Sequence, residues 1–61
     1  MKILRQQGVY SLIELDRDDT QLKYYIDNGD AVSEYFDSVE MVYYMTLDRN
    51  AFVRECEDLF D

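Results

Sequence analysis

Alternating apolar and polar residues in the first third of the chain predict β-strands. Residues 2–6 form one short candidate strand, and Gln7-Gly8 follows it as a turn or bulge. Residues 9–15 form a second candidate strand. Leu12 and Ile13 are adjacent there and both apolar, which interrupts the alternation. We therefore expect the second strand to be covered on both faces over part of its length.

The middle of the chain carries the pattern of a β-hairpin. Residues 21–27 and 30–36 flank Asn28-Gly29, which favours a two-residue turn because both residue types tolerate a positive φ. In the register that this turn sets, the oppositely charged Lys23 and Glu34 face each other across the strands. The residues on the predicted core face are Leu22, Tyr24, Ile26, Ala31 and Tyr35.

The last third predicts a helix. Asp37 lies three residues before Glu40, the spacing of an N-cap residue and its capping-box partner. No Gly or Pro interrupts residues 38–60, and the apolar residues keep one helical stripe throughout. The stripe consists of Met41, Val42, Met45, Phe52, Val53, Cys56, Leu59 and Phe60. This pattern favours one continuous helix.

Two other arrangements of this segment remain open. Residues 47–50 contain a polar run in which Asp48 could cap a second helix. Residues 39–47 are also rich in β-branched and aromatic side chains, which are common in strands.

The predicted fold class is α+β: an antiparallel β-meander of three to four strands, followed by a C-terminal helix packed on one face. The 61 residues are expected to form a single domain, residues 1–61. A domain this short buries only about 60% of the surface that its unfolded chain exposes. Chains of this size therefore often gain stability from a partner or from a second copy.

Charge is the strongest signal in the composition. Six Lys and Arg residues face fourteen Asp and Glu residues, for a formal net charge of −8. Such a surface repels nucleic acid and anionic membranes, and it attracts basic protein surfaces. Solubility alone is a sufficient alternative reason for the charge. The chain shows no apolar leader and no apolar stretch of membrane-spanning length, so a cytoplasmic location is expected.

The residues that support catalysis are missing. The chain has no His, and its one Cys, Cys56, lies on the apolar stripe without a base to activate it. No phosphate-binding loop, zinc-ligand spacing or dinucleotide motif occurs. Residues 16–19 begin like a calcium loop, but Gln21 and Asp27 replace the Gly and Glu that such a loop requires. We expect no enzymatic activity, no cofactor and no metal site.

The acidic residues supply the first functional hypothesis, in which they contact a basic partner protein. The candidate contact residues are Asp16, Asp18, Asp19, Asp27, Asp30 and Glu34, with the loop residues Asp16, Asp18 and Asp19 first. Four more acidic residues lie at the C-terminus, where the helix dipole disfavours them. In size and charge the chain resembles small inhibitors of host enzymes that phages and mobile elements encode. Carboxylates at phosphate-like spacing could mimic nucleic acid and block the basic groove of a nucleic-acid-handling enzyme.

The aromatic residues supply the second hypothesis. On a continuous helix, Tyr43, Tyr44 and Leu47 point away from the apolar stripe and would form an exposed patch. The chain would then be a self-associating structural or adaptor domain, with a homodimer as its simplest form. A strand over this segment, or a helix packed on two sides, would bury these residues instead.

Overall fold

The computed structural model describes all 61 residues as three strands followed by two helices. The elements are β1 (Lys2–Gln7), β2 (Tyr10–Glu14), β3 (Tyr24–Asp27), α1 (Ser38–Thr46) and α2 (Arg49–Leu59). The strands form one antiparallel sheet in the order β1-β2-β3. The predicted α+β class is confirmed, with a three-stranded antiparallel sheet and no fourth strand. The predicted single helix is wrong, because the helix is interrupted at Leu47 and Asp48, between α1 and α2.

The turn between β1 and β2 lies one residue later than predicted. Gln7 pairs with Tyr10, which leaves Gly8 and Val9 as the two turn residues. Gly8 takes a φ of 60°, which glycine adopts without the clash that a Cβ atom would cause. Val9 therefore belongs to the turn and not to the second strand.

A β-bulge in β1 directs two successive side chains toward the helices. Ile3 pairs with Ile13 and Arg5 pairs with Leu12, so Leu4 is an extra residue on the β1 side. Leu4 packs against the hydrophobic core. The Arg5 guanidinium lies 4.4 Å from the centre of the Phe52 ring.

The predicted hairpin register after β3 is wrong. Asp27 bridges Val32 instead of Asp30, and no regular strand follows the turn. Of the two turn residues Asn28 and Gly29, only Gly29 has a positive φ, so the two-residue mirror-image turn does not form. The cause is local, because side chains satisfy the turn's backbone groups: the Asp27 carboxylate accepts a hydrogen bond from the Gly29 N–H at 2.6 Å, and the Asn28 side chain accepts one from the Ala31 N–H at 2.7 Å.

The new register changes the predicted partners and the predicted core face. Lys23 pairs with Glu14 at 3.7 Å and not with Glu34. Two members of the predicted core face, Tyr24 and Ile26, are buried. The other three are exposed: Leu22, Ala31 and Tyr35.

Capping residues explain why the helical segment divides in two. The Asp37 carboxylate accepts hydrogen bonds from the Val39 and Glu40 N–H groups and begins α1, as predicted. Leu47 is extended, with φ −70° and ψ 146°. Asp48 then begins α2 by accepting a hydrogen bond from the Ala51 N–H at 2.8 Å. The alternative with Asp48 as a second N-cap is the one that forms, and residues 39–47 are not a strand.

Loss of the second cap should destabilise the chain modestly. We expect Asp48→Ala to lower the free energy of unfolding by about 1 kcal/mol, the usual cost of losing a capping side chain. Asp48→Asn keeps an acceptor oxygen and should lose much less. Urea unfolding of both variants checks this, and equal stabilities for the two would contradict a capping role.

One hydrophobic cluster joins the sheet to both helices. Its buried members are Leu12, Tyr24, Ile26, Phe36, Tyr44, Phe52 and Cys56. The break between the helices lets the Tyr44 and Phe52 rings approach to 6.3 Å, edge to face. On one straight helix, residues eight apart are separated by about 12 Å along the axis.

The sheet is also covered on its second face. Ile13 is buried next to Leu12 in the sequence, so β2 is covered on both faces as predicted. Tyr25 is buried on the same side as Ile13, and the Tyr35 ring packs 5.6 Å from the Tyr25 ring. Neither α1 nor α2 has the length and apolarity needed to cross a membrane.

Candidate interaction surfaces

The net charge of the chain belongs entirely to its second part. Residues 1–26 contain four acidic and four basic residues, whereas residues 27–61 contain ten acidic residues and only Arg49 and Arg54 as basic ones. No Lys or Arg occurs between Lys23 and Arg49. The anionic part of the chain therefore consists of the turn after β3, α1 and the C-terminal end of α2.

Both ion pairs of the chain lie in the balanced first part. Arg17 binds Asp19 through two nitrogens, at 2.9 and 3.0 Å, and this hydrogen bonding lowers the pKa of the Asp19 carboxyl. Lys23 pairs with Glu14. Every carboxylate from residue 27 onward is thus without an ion pair.

The three predicted loop contacts, Asp16, Asp18 and Asp19, lie in a region of mixed charge. Asp19 is paired with Arg17, as described above. Asp16 and Asp18 are exposed and line a shallow groove together with basic residues. The charged residues of that groove are Lys2, Glu14, Asp16, Arg17, Asp18 and Lys23. The nearby cations weaken the local negative potential.

The three predicted hairpin contacts divide by role. Asp27 is half-buried and holds the turn through its bond to Gly29. Asp30 and Glu34 are exposed and have no ion pair. These two carboxylates are free to meet a partner without breaking a contact within the chain.

A further acidic group lies at the end of α2, beside two aromatic rings. The Tyr10 and Phe60 rings stack at 6.3 Å. They line a depression of about 460 Å³ that also contains Arg54, Glu57, Asp58 and Asp61. Burial, together with the Glu57 charge, raises the pKa of the Tyr10 hydroxyl.

The predicted aromatic patch is not formed as expected. Tyr44 is only 5% exposed, since it packs between Phe36 and Phe52, and burial raises its pKa to about 12. Leu47 is half-buried against the same core. Of the three residues only Tyr43 is exposed, at 47%. The predicted patch is wrong because it depends on one continuous helix, and the helix is interrupted at Leu47.

α1 instead exposes a different face, which contains Val39, Val42 and Tyr43. Val39, Val42 and Tyr43 are spaced as i, i+3 and i+4, so they share one side of the helix, opposite the buried Tyr44. Met45 is also exposed. The predicted stripe of one long helix includes Val42 and Met45, whereas the phase of residues 38–46 taken alone places Val39, Val42 and Tyr43 together. That shorter window is the signal that could have revealed this face.

The chemically reactive side chains are few and dispersed. Burial raises the pKa of the Cys56 thiol to about 11, and the thiol is enclosed in the core. No group of three or more His, Cys, Asp or Glu side chains lies close enough together to hold a metal ion. The two candidate interaction surfaces are thus the acidic residues of the segment 27–61 and the exposed apolar face of α1.

No protein-family model, curated protein or solved structure matches the chain. A function must therefore be derived from the charge distribution and from the exposed side chains.

Proposed function

We propose that this chain is a protein-binding regulator that inhibits a partner by docking its acidic second part on a basic surface. The single observation that carries the proposal is the charge distribution: residues 27–61 hold the whole net charge, with no ion pair among them. Three of their carboxylates serve turns or helix caps, namely Asp27, Asp37 and Asp48. The other seven serve neither a turn nor a cap: Asp30, Glu34, Glu40, Glu55, Glu57, Asp58 and Asp61.

The physical basis of this activity is electrostatic steering. A one-sided field raises the rate at which oppositely charged surfaces meet, and it falls off over a Debye length of about 8 Å at physiological salt. A basic groove that binds nucleic acid already carries the Lys and Arg side chains that replace phosphate counterions. Carboxylates can occupy such a groove in place of phosphates. The partner class that we propose is therefore a basic, nucleic-acid-handling protein, with the chain acting as a nucleic-acid mimic.

A pull-down with matched triple variants tests this function. The tagged chain is used to capture proteins from a cell lysate, and the beads are washed at low and then at high salt. We expect the captured basic proteins to leave at high salt, and E57Q/D58N/D61N to capture at least about tenfold less, as expected for steered association. The variant D16N/D18N/D19N removes the same charge from the mixed-charge loop and should keep most of the capture.

The variant E57Q/D58N/D61N should not impair folding, because its three acids lie at the C-terminal end of α2, where the helix dipole disfavours negative charge. Removing them should leave the stability of the fold unchanged or slightly raised. Capture that persists at high salt, or that depends on neither set of acids, would contradict the proposed function. If only D16N/D18N/D19N loses capture, the partner contacts Asp16, Asp18 and Asp19 and not the C-terminal acids.

Self-association through α1 is the second candidate, favoured by the exposed face that contains Val39, Val42 and Tyr43. Two copies would bring together two net charges of −8, so salt should strengthen a homodimer where it weakens a complex with a basic partner. Sedimentation at low and high salt separates the two candidates. Tyr43→Ala should weaken the homodimer if that candidate is correct.

A further inference from the structure

The exposed face of α1 is uncharged over its whole length. Val39 is 76% exposed, Val42 is 52% exposed and Tyr43 is 47% exposed. Thr46 continues the same side one turn later and is also exposed. On the other side of the helix, Tyr44 is buried in the core. α1 is thus anchored by one side and presents an apolar side to solvent. Leaving an apolar side in water is unfavourable unless another surface covers it.

The rim of this apolar face is acidic. Glu40 lies on α1 itself, and Asp37 and Asp48 cap the two ends of the segment. Glu55 of α2 lies next to Tyr43, and hydrogen bonding to the Glu55 carboxylate raises the pKa of the Tyr43 hydroxyl. α1 itself contains no basic residue. The cations next to its C-terminal end are Arg5, whose guanidinium binds carbonyl oxygens there, and Arg49, which follows Asp48. An apolar centre with a polar rim is the arrangement of a protein-protein interface. The rim here is mainly acidic.

The size of the face shows that its rim must take part in binding. A stable interface buries about 800 Å² on each partner. That is close to a fifth of the chain's total accessible surface of 4277 Å². A face made of a few side chains on a two-and-a-half-turn helix cannot supply such an area alone. A covering partner must also contact the acidic rim.

We propose that the exposed face of α1 docks a basic amphipathic helix of a partner protein, with apolar side chains on Val39, Val42 and Tyr43 and with Lys or Arg against the acidic rim. This inference rests on the proposed function and assigns its central contact to α1. A second copy fits poorly because its own Glu40, Asp37 and Asp48 would meet the same acidic rim. A basic helix supplies the opposite sign at each of these positions.

Two synthetic peptides of equal length and charge test the inference. One is a Leu/Lys amphipathic helix with Leu at i, i+3, i+4 and i+7, and the other is a Lys/Ser peptide without an apolar face. We expect the Leu/Lys peptide to bind the chain more tightly. V39S/V42S should weaken that binding about tenfold or more, since 1.4 kcal/mol of lost apolar contact is a factor of ten. The same variant should not change binding of the Lys/Ser peptide.

A matched pair of exposed valines provides the control. Val9 and Val32 are exposed and lie in turns outside α1, so V9S/V32S removes two valine side chains elsewhere in the chain. Ser and Val have similar helix propensities, so V39S/V42S should also fold normally. Equal loss of Leu/Lys binding with both double variants would overturn the inference. So would a wild-type dimer that V39S/V42S converts to a monomer, since a second copy would then be the occupant.

The failure of this inference and the failure of the proposed function are distinguishable. If E57Q/D58N/D61N leaves both peptides bound as tightly as the wild type does, the acidic docking function fails. If V39S/V42S leaves Leu/Lys binding unchanged while the acidic variant weakens it, only the assignment to α1 fails. Binding is measured by isothermal titration calorimetry, and the folded state of each variant by circular dichroism.

Discussion

Replacing Arg5 by alanine is expected to lower the free energy of unfolding by about 3 kcal/mol, one of the largest effects of any single surface-accessible side chain in this molecule. The Arg5 guanidinium donates hydrogen bonds to the carbonyl oxygens of Tyr44 at 2.8 Å and Leu47 at 2.7 Å. These carbonyls end α1, where the helix dipole favours a cation. The guanidinium also lies over the Phe52 ring of α2. One side chain of β1 therefore ties the sheet to both helices.

Several small terms add up to the expected loss. A hydrogen bond to a charged group contributes about 1.5–3 kcal/mol, and a cation over an aromatic ring about 0.5–2 kcal/mol. A chain of 61 residues has a total stability of roughly 3–9 kcal/mol at the usual contribution per residue. Arg5→Ala should therefore remove about a third or more of the total stability.

Urea unfolding followed by circular dichroism measures this effect, with Arg54→Ala as the matched control. Arg54 is exposed on α2 and makes no ion pair or hydrogen bond, so its loss should cost no more than about 0.5 kcal/mol. Arg5→Lys keeps the charge but loses the forked geometry, so its stability should lie between that of wild type and Arg5→Ala. Equal stabilities for Arg5→Ala and Arg54→Ala would show that the contacts of Arg5 contribute nothing.

The role of Arg5 also shows what a sequence pattern cannot predict. The pairing and order of the strands follow from local alternation and turn residues, which the sequence displays directly. The contacts of Arg5 join residues about forty positions apart, and the bulge at Leu4 that directs Arg5 toward the helices leaves no periodic signal. Long-range contacts of this kind depend on the assembled fold.

The hairpin and the helix break illustrate a different limit, in which two local signals compete. Asn28-Gly29 favours a tight turn, but the side chains of Asp27 and Asn28 satisfy the backbone of a wider one. The apolar stripe favours one helix, but the cap at Asp48 and the carbonyl contacts of Arg5 favour two. Weighing such signals requires energies that composition and spacing do not contain.

The candidate surfaces follow the same division. The charge imbalance between residues 1–26 and 27–61 is present in the sequence and needs only a count. The pairing of Asp19 with Arg17 and the burial of Tyr44 needed the fold. The exposed face of α1 needed the position of the helix break, since a shift of phase exchanges the buried and exposed sides of a helix.

Raising the pH from 9 to 12 is expected to remove a few kcal/mol of stability, because two buried groups must ionise. The unfolded values are pKa 9.0 for the Cys56 thiol and 10.0 for the Tyr44 hydroxyl, and burial raises the folded values to about 11 and about 12. Each whole-number difference corresponds to about 1.4 kcal/mol. The unfolded chain loses these protons first, so stability is complete below pH 9 and falls as the pH rises through the folded values.

Urea unfolding at pH 7, 9, 10, 11 and 12 measures this loss, and two variants assign it. Cys56→Ala should flatten the decline between pH 9 and 11, whereas Tyr44→Phe should flatten it between pH 10 and 12. Arg5 is the one nearby charge that favours the Cys56 thiolate, so Arg5→Ala should raise the pKa of the folded thiol further and extend the decline that depends on Cys56 to higher pH. A decline that persists unchanged in the double variant C56A/Y44F would place its origin outside the core.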